Sequence, residues 1–245
     1  MTLLVALLLV CTGVLVGAVG IGGFLIVPIL VLLTGIPANQ AVVLAAICFM
    51  LLGIVAAGVR SRSADTPVVR YTPFLIAAAV GALGGVLIVG ALTSRVLTWV
   101  IAAAFAAAGL AEWMGWPSTV AARPISRTRG LVLGALTGAG SAVTGTSGPM
   151  VAMPLLANAG VPTRERIGIA QVAQLPIAAT ASIAFLSLGR VPWLLAVQVT
   201  LATAAGFVAG IFWARALPQR LLRRTAAVLM LLAAASMVGA NVWRG

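Results

Sequence analysis

Long apolar segments separated by short polar loops run through the whole chain. Most of them are roughly 20 residues long, the length at which an α-helix crosses the hydrocarbon core of a bilayer. Helices are expected because lipid offers no partners for backbone N–H and C=O groups. The pattern predicts helices at 38–59, 71–92, 96–114, 167–188, 191–213 and 221–243, and two longer, interrupted segments at 3–34 and 131–159.

Each interrupted segment contains a glycine-rich break followed by a proline. The first break, Gly20–Gly23, precedes Pro28, and the second break, Gly145–Gly148, precedes Pro154. Because the two motifs align with each other, the recurrence predicts two related halves joined by a linker rich in Pro, Ser and Arg. The halves are residues 1–114 and 131–245, and the linker is 115–130.

The composition defines the class of protein. Hydrophobic residues make up 62% of the chain, charged residues 7%, and the mean hydropathy is +1.21. A soluble domain carries about 25% charged residues, so the sequence predicts an all-α integral membrane protein. The apolar start lacks the basic residues that open a cleavable signal peptide, so residues 1–19 are expected to stay in the mature protein.

The charged residues exclude several other functions. The net charge is +12, and all fifteen basic residues are arginines, which lie in loops between apolar segments. Membrane topology explains these positions better than nucleic-acid binding. The sequence has no histidine and no Cys-x-x-Cys spacing, and its three carboxylates lie outside the middle of the apolar segments. We therefore expect no metal, no cofactor and no enzyme active site.

The distribution of arginines predicts how the segments cross the membrane. If all eight segments crossed fully, the two sides would receive eight and seven arginines. If each interrupted segment instead returns to its starting side as a re-entrant hairpin, each half has three crossing helices and the split becomes twelve to three. The positive-inside rule favours this second arrangement. It predicts two inverted repeats with both termini outside, and Arg95, Arg190 and Arg244 as the external arginines.

The two breaks are the predicted substrate site. A helix that restarts inside the membrane directs free N–H groups and the positive end of its dipole into the protein. Two such starts meeting from opposite faces form a site for a small anion without a buried arginine. The alternative is that the glycines only permit close helix packing. The candidate residues are Gly22, Gly23, Phe24, Thr146, Ser147, Gly148 and Pro149, with Pro149 expected in the first turn of the restarted helix.

Two amides inside the segment 167–188 are further candidates. Gln171 and Gln174 are three residues apart and share a helix face. Buried amides need partners in lipid, so they either donate hydrogen bonds to an anion or bond a neighbouring helix. The sequence favours neither role over the other.

Glycine pairs at GxxxG spacing are predicted to be packing seams, since small residues let membrane helices approach closely. These pairs are Gly13/Gly17, Gly81/Gly85, Gly134/Gly138 and Gly206/Gly210.

The motifs Gly-Ile-Gly-Gly-Phe-x3-Pro from Gly20 and Gly-Thr-Ser-Gly-Pro from Gly145 resemble those of the TauE/SafE family of sulfite and organosulfonate exporters. The resemblance covers essentially the whole chain. It implies a multi-pass transporter of a bacterial inner membrane that exports a small sulfur-containing anion. The chain departs from the family pattern at Phe24 and Ser147, where glycine is more frequent.

The sequence therefore predicts a transporter of a small anion, bound between the two breaks, with sulfite or a related sulfur oxyanion or organosulfonate as the leading substrate. A transporter of an unrelated small solute and a non-transporting membrane scaffold remain as alternatives. The expected partners are the anion and the lipid bilayer, and a homo-oligomer is compatible with the sequence.

Overall fold

The structure is a computed structural model that describes residues 2–19, 23–60, 68–114, 125–146, 148–189, 191–213 and 219–243. Within these ranges the chain is almost entirely helical and contains no strand, which confirms the all-α prediction. The helices are α1 (Leu3–Val19), α2 (Ile26–Ile29), α3 (Ala38–Arg60), α4 (Thr72–Ala91), α5 (Ser94–Trp113), α6 (Arg127–Thr144), α7 (Pro149–Asn158), α8 (Thr163–Ser187), α9 (Trp193–Trp213) and α10 (Gln219–Trp243).

In the described part of the chain, six helices are long and apolar enough to cross a membrane: α3, α4, α5, α8, α9 and α10. They correspond in order to the six uninterrupted apolar segments. The interrupted segments contain shorter helices. Helix α1 precedes the first break and α2 follows it, and helix α6 precedes the second break and α7 follows it.

The outer surface of the bundle is apolar, as a lipid-facing surface must be. Leu87 is 71% exposed and Phe212 is 77% exposed. Tryptophans stand at helix ends, where Trp113 ends α5, Trp193 begins α9 and Trp243 ends α10. Amphipathic indole rings favour the boundary between hydrocarbon and headgroups, so these positions fit helix ends at the two membrane surfaces.

Helices α1 and α9 pack backbone to backbone. A side chain at Gly206 would overlap the carbonyl oxygen of Val10, and one at Gly210 would overlap that of Val14. Only glycine fits such a contact. Because the contact positions increase together along both helices, α1 and α9 run parallel.

Helices α4 and α6 form a second contact of the same kind. A side chain at Gly134 would overlap the carbonyl oxygen of Phe74, and one at Gly138 that of Ala78. These two helices are also parallel. Glycines on the opposite helix of each pair meet backbone atoms in the same way, so the seam prediction is confirmed for Gly13, Gly17, Gly81, Gly85, Gly134, Gly138, Gly206 and Gly210.

Helices α5 and α10 run antiparallel. A side chain at Gly109, near the end of α5, would lie 3.0 Å from Cγ of Leu231, in the middle of α10. At the other end of the pair, Nδ2 of Asn241 donates to the carbonyl oxygen of Arg95, 3.1 Å away. The start of α5 therefore lies beside the end of α10.

Helices α4, α6 and α8 begin at the same end of the bundle. The Tyr71 hydroxyl, just before α4, donates to Oε2 of Glu165 in the first turn of α8 at 2.6 Å. In the first turn of α6, a Cβ at Gly130 would lie 4.0 Å from the backbone nitrogen of Phe74. The chain between Gly130 and Glu165 thus starts and finishes at one end of α4.

The opposite end gathers the starts of α3 and α5 and the end of α10. The backbone N–H of Ala38, the first residue of α3, donates to Oγ of Ser94, the first residue of α5, at 2.7 Å. A cavity of about 230 Å³ opens here, lined in part by Ser94, Arg95 and Asn241.

Candidate functional site

The second break is a tight turn buried inside the bundle. Helix α6 ends at Thr144 and is capped by Gly145, whose φ of 62° lies in the left-handed region that favours glycine. The N–H groups of Gly145 and Thr146 both donate to the carbonyl oxygen of Ser141. These bonds satisfy the end of α6, as left-handed helix caps commonly do.

Helix α7 restarts directly after the second break. Gly148 precedes it with φ of 92°, a conformation that side-chain-bearing residues rarely adopt. The helix begins at Pro149, as the sequence predicts, because the first turn has no intrahelical partner for the N–H that proline lacks. The carbonyl oxygen of Gly148 accepts from Val151 and Ala152, at 3.1 and 2.9 Å.

Two threonine hydroxyls flank the turn. Oγ1 of Thr144 and Oγ1 of Thr146 are 2.9 Å apart, and both residues are buried. Thr144 donates to the carbonyl oxygen of Gly140, 2.7 Å away. The proton between the two hydroxyls therefore comes from Thr146, so rotation of that hydroxyl would redirect the proton to a bound acceptor.

The second break contacts the segment that follows the first break. A Cβ at Gly145 would lie 2.6 Å from Cγ2 of Val27 in α2 and 3.2 Å from Cα of Val42 in α3. All three residues are buried. The two interrupted segments, which are far apart in the sequence, therefore meet at one point in the core.

The first restart differs from the regular half-helix that the sequence predicts. After Gly23–Leu25, a 3-10 turn, come the four α-helical residues of α2 and a π-helical turn at Leu30–Thr34. Pro28 lies within α2, and proline removes one backbone donor and crowds the carbonyl four residues earlier. This explains why the segment has the tighter hydrogen bonds of a 3-10 helix before Pro28 and the wider ones of a π-helix after it.

Phe24 is a packing residue in the first interrupted segment. It is 2% exposed, and its ring meets that of Phe105 in α5 edge to face, with centroids 5.8 Å apart and planes at 80°. Such aromatic pairs stabilise a fold by about 0.5–1.5 kcal/mol beyond the stabilisation that comes from burying their surface. The phenyl ring therefore anchors the segment after the first break against α5.

Gln174 is the predicted amide that the fold brings to the second break. A Cβ at Gly148 would lie 3.7 Å from Cα of Gln174, and Gln174 is 8% exposed. Gln171 lies one turn earlier on α8 and is half-buried. The candidates Gly22 and Ser147 lie outside the described residues.

Sequence reasoning missed Ser141, Val27 and Val42 as neighbours of the second break, and it did not single out Thr137. Thr137, Ser141 and Thr144 follow one another at spacings of four and three, which puts them on one face of α6. That spacing was readable from the sequence. The approach of Val27 and Val42 joins distant parts of the chain, so no local pattern signals it.

Six long apolar helices, together with shorter helices before and after each glycine-rich break, define a multi-pass integral membrane protein. The model of the sulfite exporter TauE/SafE family matches residues 5–237, nearly the whole chain, and the chain belongs to that family. The protein is accordingly a multi-pass membrane transporter and not an enzyme, as the sequence predicts. Neither a curated protein nor a solved structure gave a match.

Proposed function

We propose that this transporter exports a small sulfur oxyanion, sulfite or a related organosulfonate, bound at the second break where it meets the first interrupted segment. The observation that carries the proposal is the buried contact of Gly145 with Val27, which joins the two interrupted segments. The family supplies the substrate class. Rival readings are an unrelated small solute and a scaffold that transports nothing.

The groups at this point suit an oxyanion. The start of a helix carries a partial positive charge of roughly half a unit, and α7 starts here in the core. The Thr146 hydroxyl has a proton that it can redirect, and Gln174 has an amide that can donate. An anion held by such groups needs no buried arginine, and it can leave more readily than from a full salt bridge.

The two halves are proposed to be inverted repeats. In each half the first helix packs in parallel against the fourth helix of the other half, α1 against α9 and α6 against α4. The last helices of the two halves, α5 and α10, pack antiparallel to each other. Repeats of the same orientation would make α5 and α10 parallel, so the antiparallel pair supports inversion.

The helix directions also support the proposed topology. Five arginines lie at or near the starts of α4, α6, α8 and α10, namely Arg70, Arg127, Arg129, Arg166 and Arg224. Helices α4, α6 and α8 begin at one end of the bundle. The opposite end, where α5 begins, has Arg95. By the positive-inside rule, the arginine-rich end faces the cytoplasm.

A cysteine-labelling experiment tests this topology at the two ends of α8. In a variant with Cys11 and Cys48 replaced by alanine, Arg164→Cys and Gly189→Cys are each exposed to a membrane-impermeant maleimide in intact cells. We expect labelling of Gly189→Cys alone, because only that end of α8 faces outward. Labelling of Arg164→Cys in sealed cells would contradict the proposed orientation.

Flux measurements test the proposed function. Proteoliposomes containing the purified protein would be loaded with sulfite, thiosulfate, sulfoacetate, sulfate, acetate or chloride, and efflux compared with protein-free vesicles. We expect selective movement of a sulfur oxyanion. Efflux of none of these anions, from protein shown to be folded by its thermal transition, would favour a different solute or the scaffold.

A further inference from the structure

Two buried hydroxyls on α6 have no hydrogen-bond partner within the described structure. They are Oγ1 of Thr137 and Oγ of Ser141, in residues that are 0% and 1% exposed. A buried hydroxyl without a partner is costly, and native proteins contain few of them. Each therefore calls for an explanation in terms of what occupies the space beside it.

Several threonines in other helices and in α6 show how a helical hydroxyl can be satisfied, whereas Ser182 in α8, like the two α6 hydroxyls, is buried without a partner among the described residues. Thr12, Thr98, Thr144 and Thr203 each donate to the carbonyl oxygen four residues earlier, at 2.7 to 2.8 Å. This is the usual solution for serine and threonine within a helix. Thr137 and Ser141 do not adopt it, so their protons remain available to a group outside α6.

The position of these two hydroxyls relates them to the second break. Ser141 is the residue whose carbonyl oxygen accepts from the turn, and Thr137 lies one helical turn earlier on the same face. The lipid-exposed residues of this helix, such as Val132 and Leu136, lie on its other side. The two hydroxyls therefore lie on the buried face of α6, one in the middle of the helix and the other next to the turn.

We infer that Thr137 and Ser141 line the path of the transported oxyanion and donate hydrogen bonds to it beside the second break. This inference rests on the proposed function and adds two substrate-contacting residues to the site. It also explains why the hydroxyls are unpartnered in the protein alone, because their acceptor is the substrate. Any ligand that they select must have exposed oxygen acceptors, as sulfite, thiosulfate and sulfonates do.

The other occupant that could satisfy these hydroxyls is structural water, and the two readings predict opposite changes. If the acceptor is the substrate, removing the hydroxyl removes a buried polar group that the empty protein cannot satisfy, so stability is kept or raised while affinity falls. If the acceptor is a bound water, removing the hydroxyl lowers stability and leaves affinity unchanged.

The test uses Thr137→Val and Ser141→Ala in proteoliposomes and in detergent. We expect each substitution to raise the concentration of the sulfur oxyanion at half-saturation about tenfold, the loss of affinity typical of a hydrogen bond to a charged ligand. The unfolding temperature of each variant should equal or exceed that of the wild type. Thr137→Ser, which keeps a hydroxyl, should retain wild-type affinity. The matched control is Thr203→Val, a buried threonine that donates within its own helix, and its affinity should not change.

The outcomes separate the inference from the proposed function. Wild-type half-saturation in Thr137→Val and Ser141→Ala, in a protein that moves the anion, would overturn the inference and leave the proposed function intact. A lower unfolding temperature with unchanged affinity would assign the hydroxyls to water. A folded wild type that moves no sulfur oxyanion would overturn both. If one of the two variants fails to fold, the other decides. If both fail, the ligand-induced stabilisation of Thr137→Ala is compared with that of Thr137→Ser, and equal stabilisation would contradict the inference.

Discussion

Gly81→Ala should destabilise the protein by about 3 kcal/mol, near the upper end of what overpacking usually costs. The added methyl group would overlap the carbonyl oxygen of Ala135 across the α4–α6 seam. A flexible side chain could move aside, but a backbone carbonyl moves only if the whole helix shifts. Such a shift would also loosen the neighbouring contact of Gly134 with Phe74. The measurement is the thermal transition of the purified protein, followed by tryptophan fluorescence in detergent.

Gly84→Ala is the matched control, three residues further along the same helix. Among the described residues nothing lies within 4 Å of the methyl group that it would add. Alanine is a better helix former than glycine by up to about 1 kcal/mol, so this variant should unfold at or slightly above the wild-type temperature. Equal unfolding temperatures for Gly81→Ala and Gly84→Ala would show that the seam is not a close backbone contact.

Gly145→Ala should reduce anion efflux at least about tenfold, equivalent to ~1.4 kcal/mol. Two effects act at this position. Alanine at a φ of 62° costs about 1–2 kcal/mol, and its methyl group would lie 2.6 Å from Cγ2 of Val27. The second effect separates the second break from the first interrupted segment, and that contact is the basis of the proposed site.

Gly189→Ala isolates the first of these effects. Gly189 has a φ of 72°, and within the described structure nothing lies within 4 Å of the methyl group that alanine would add. It should therefore lose similar backbone stability but keep wild-type efflux. Efflux is measured from proteoliposomes matched for folded protein. Normal efflux in Gly145→Ala would place the transport site elsewhere, and equal losses in both variants would attribute the effect to backbone strain alone.

Local patterns predicted the features whose causes are local. The six spanning helices follow from the length of apolar segments, the seam glycines from GxxxG spacing, and the start of α7 from Pro149. The irregular form of α2 could also have been anticipated, since Pro28 stands close to the start of the segment. The irregular hydrogen bonding follows from the proline ring of Pro28 and its own helical turn alone.

The features that escaped prediction depend on contacts between distant segments. Nothing in the GxxxG pairs says that α1 packs against α9 and not against its neighbour α2. Likewise, the approach of Gly145 to Val27 and Val42 is decided by how the interrupted segments fit between the long helices. Thr137 and Ser141 stand out only when their missing partners are known, because the spacing alone does not distinguish them from Thr144.

The two glycine seams have a consequence for how the protein is made. Each seam joins a helix from one half of the chain to a helix from the other, so α1 enters the membrane long before α9 exists. Until α9 has been synthesised, the glycine face of α1 lacks the helix against which it packs in the folded protein. Contacts between distant segments form slowly because the loop between them must close first. The first half should therefore insert during translation but reach its final packing only after the last helices have been synthesised.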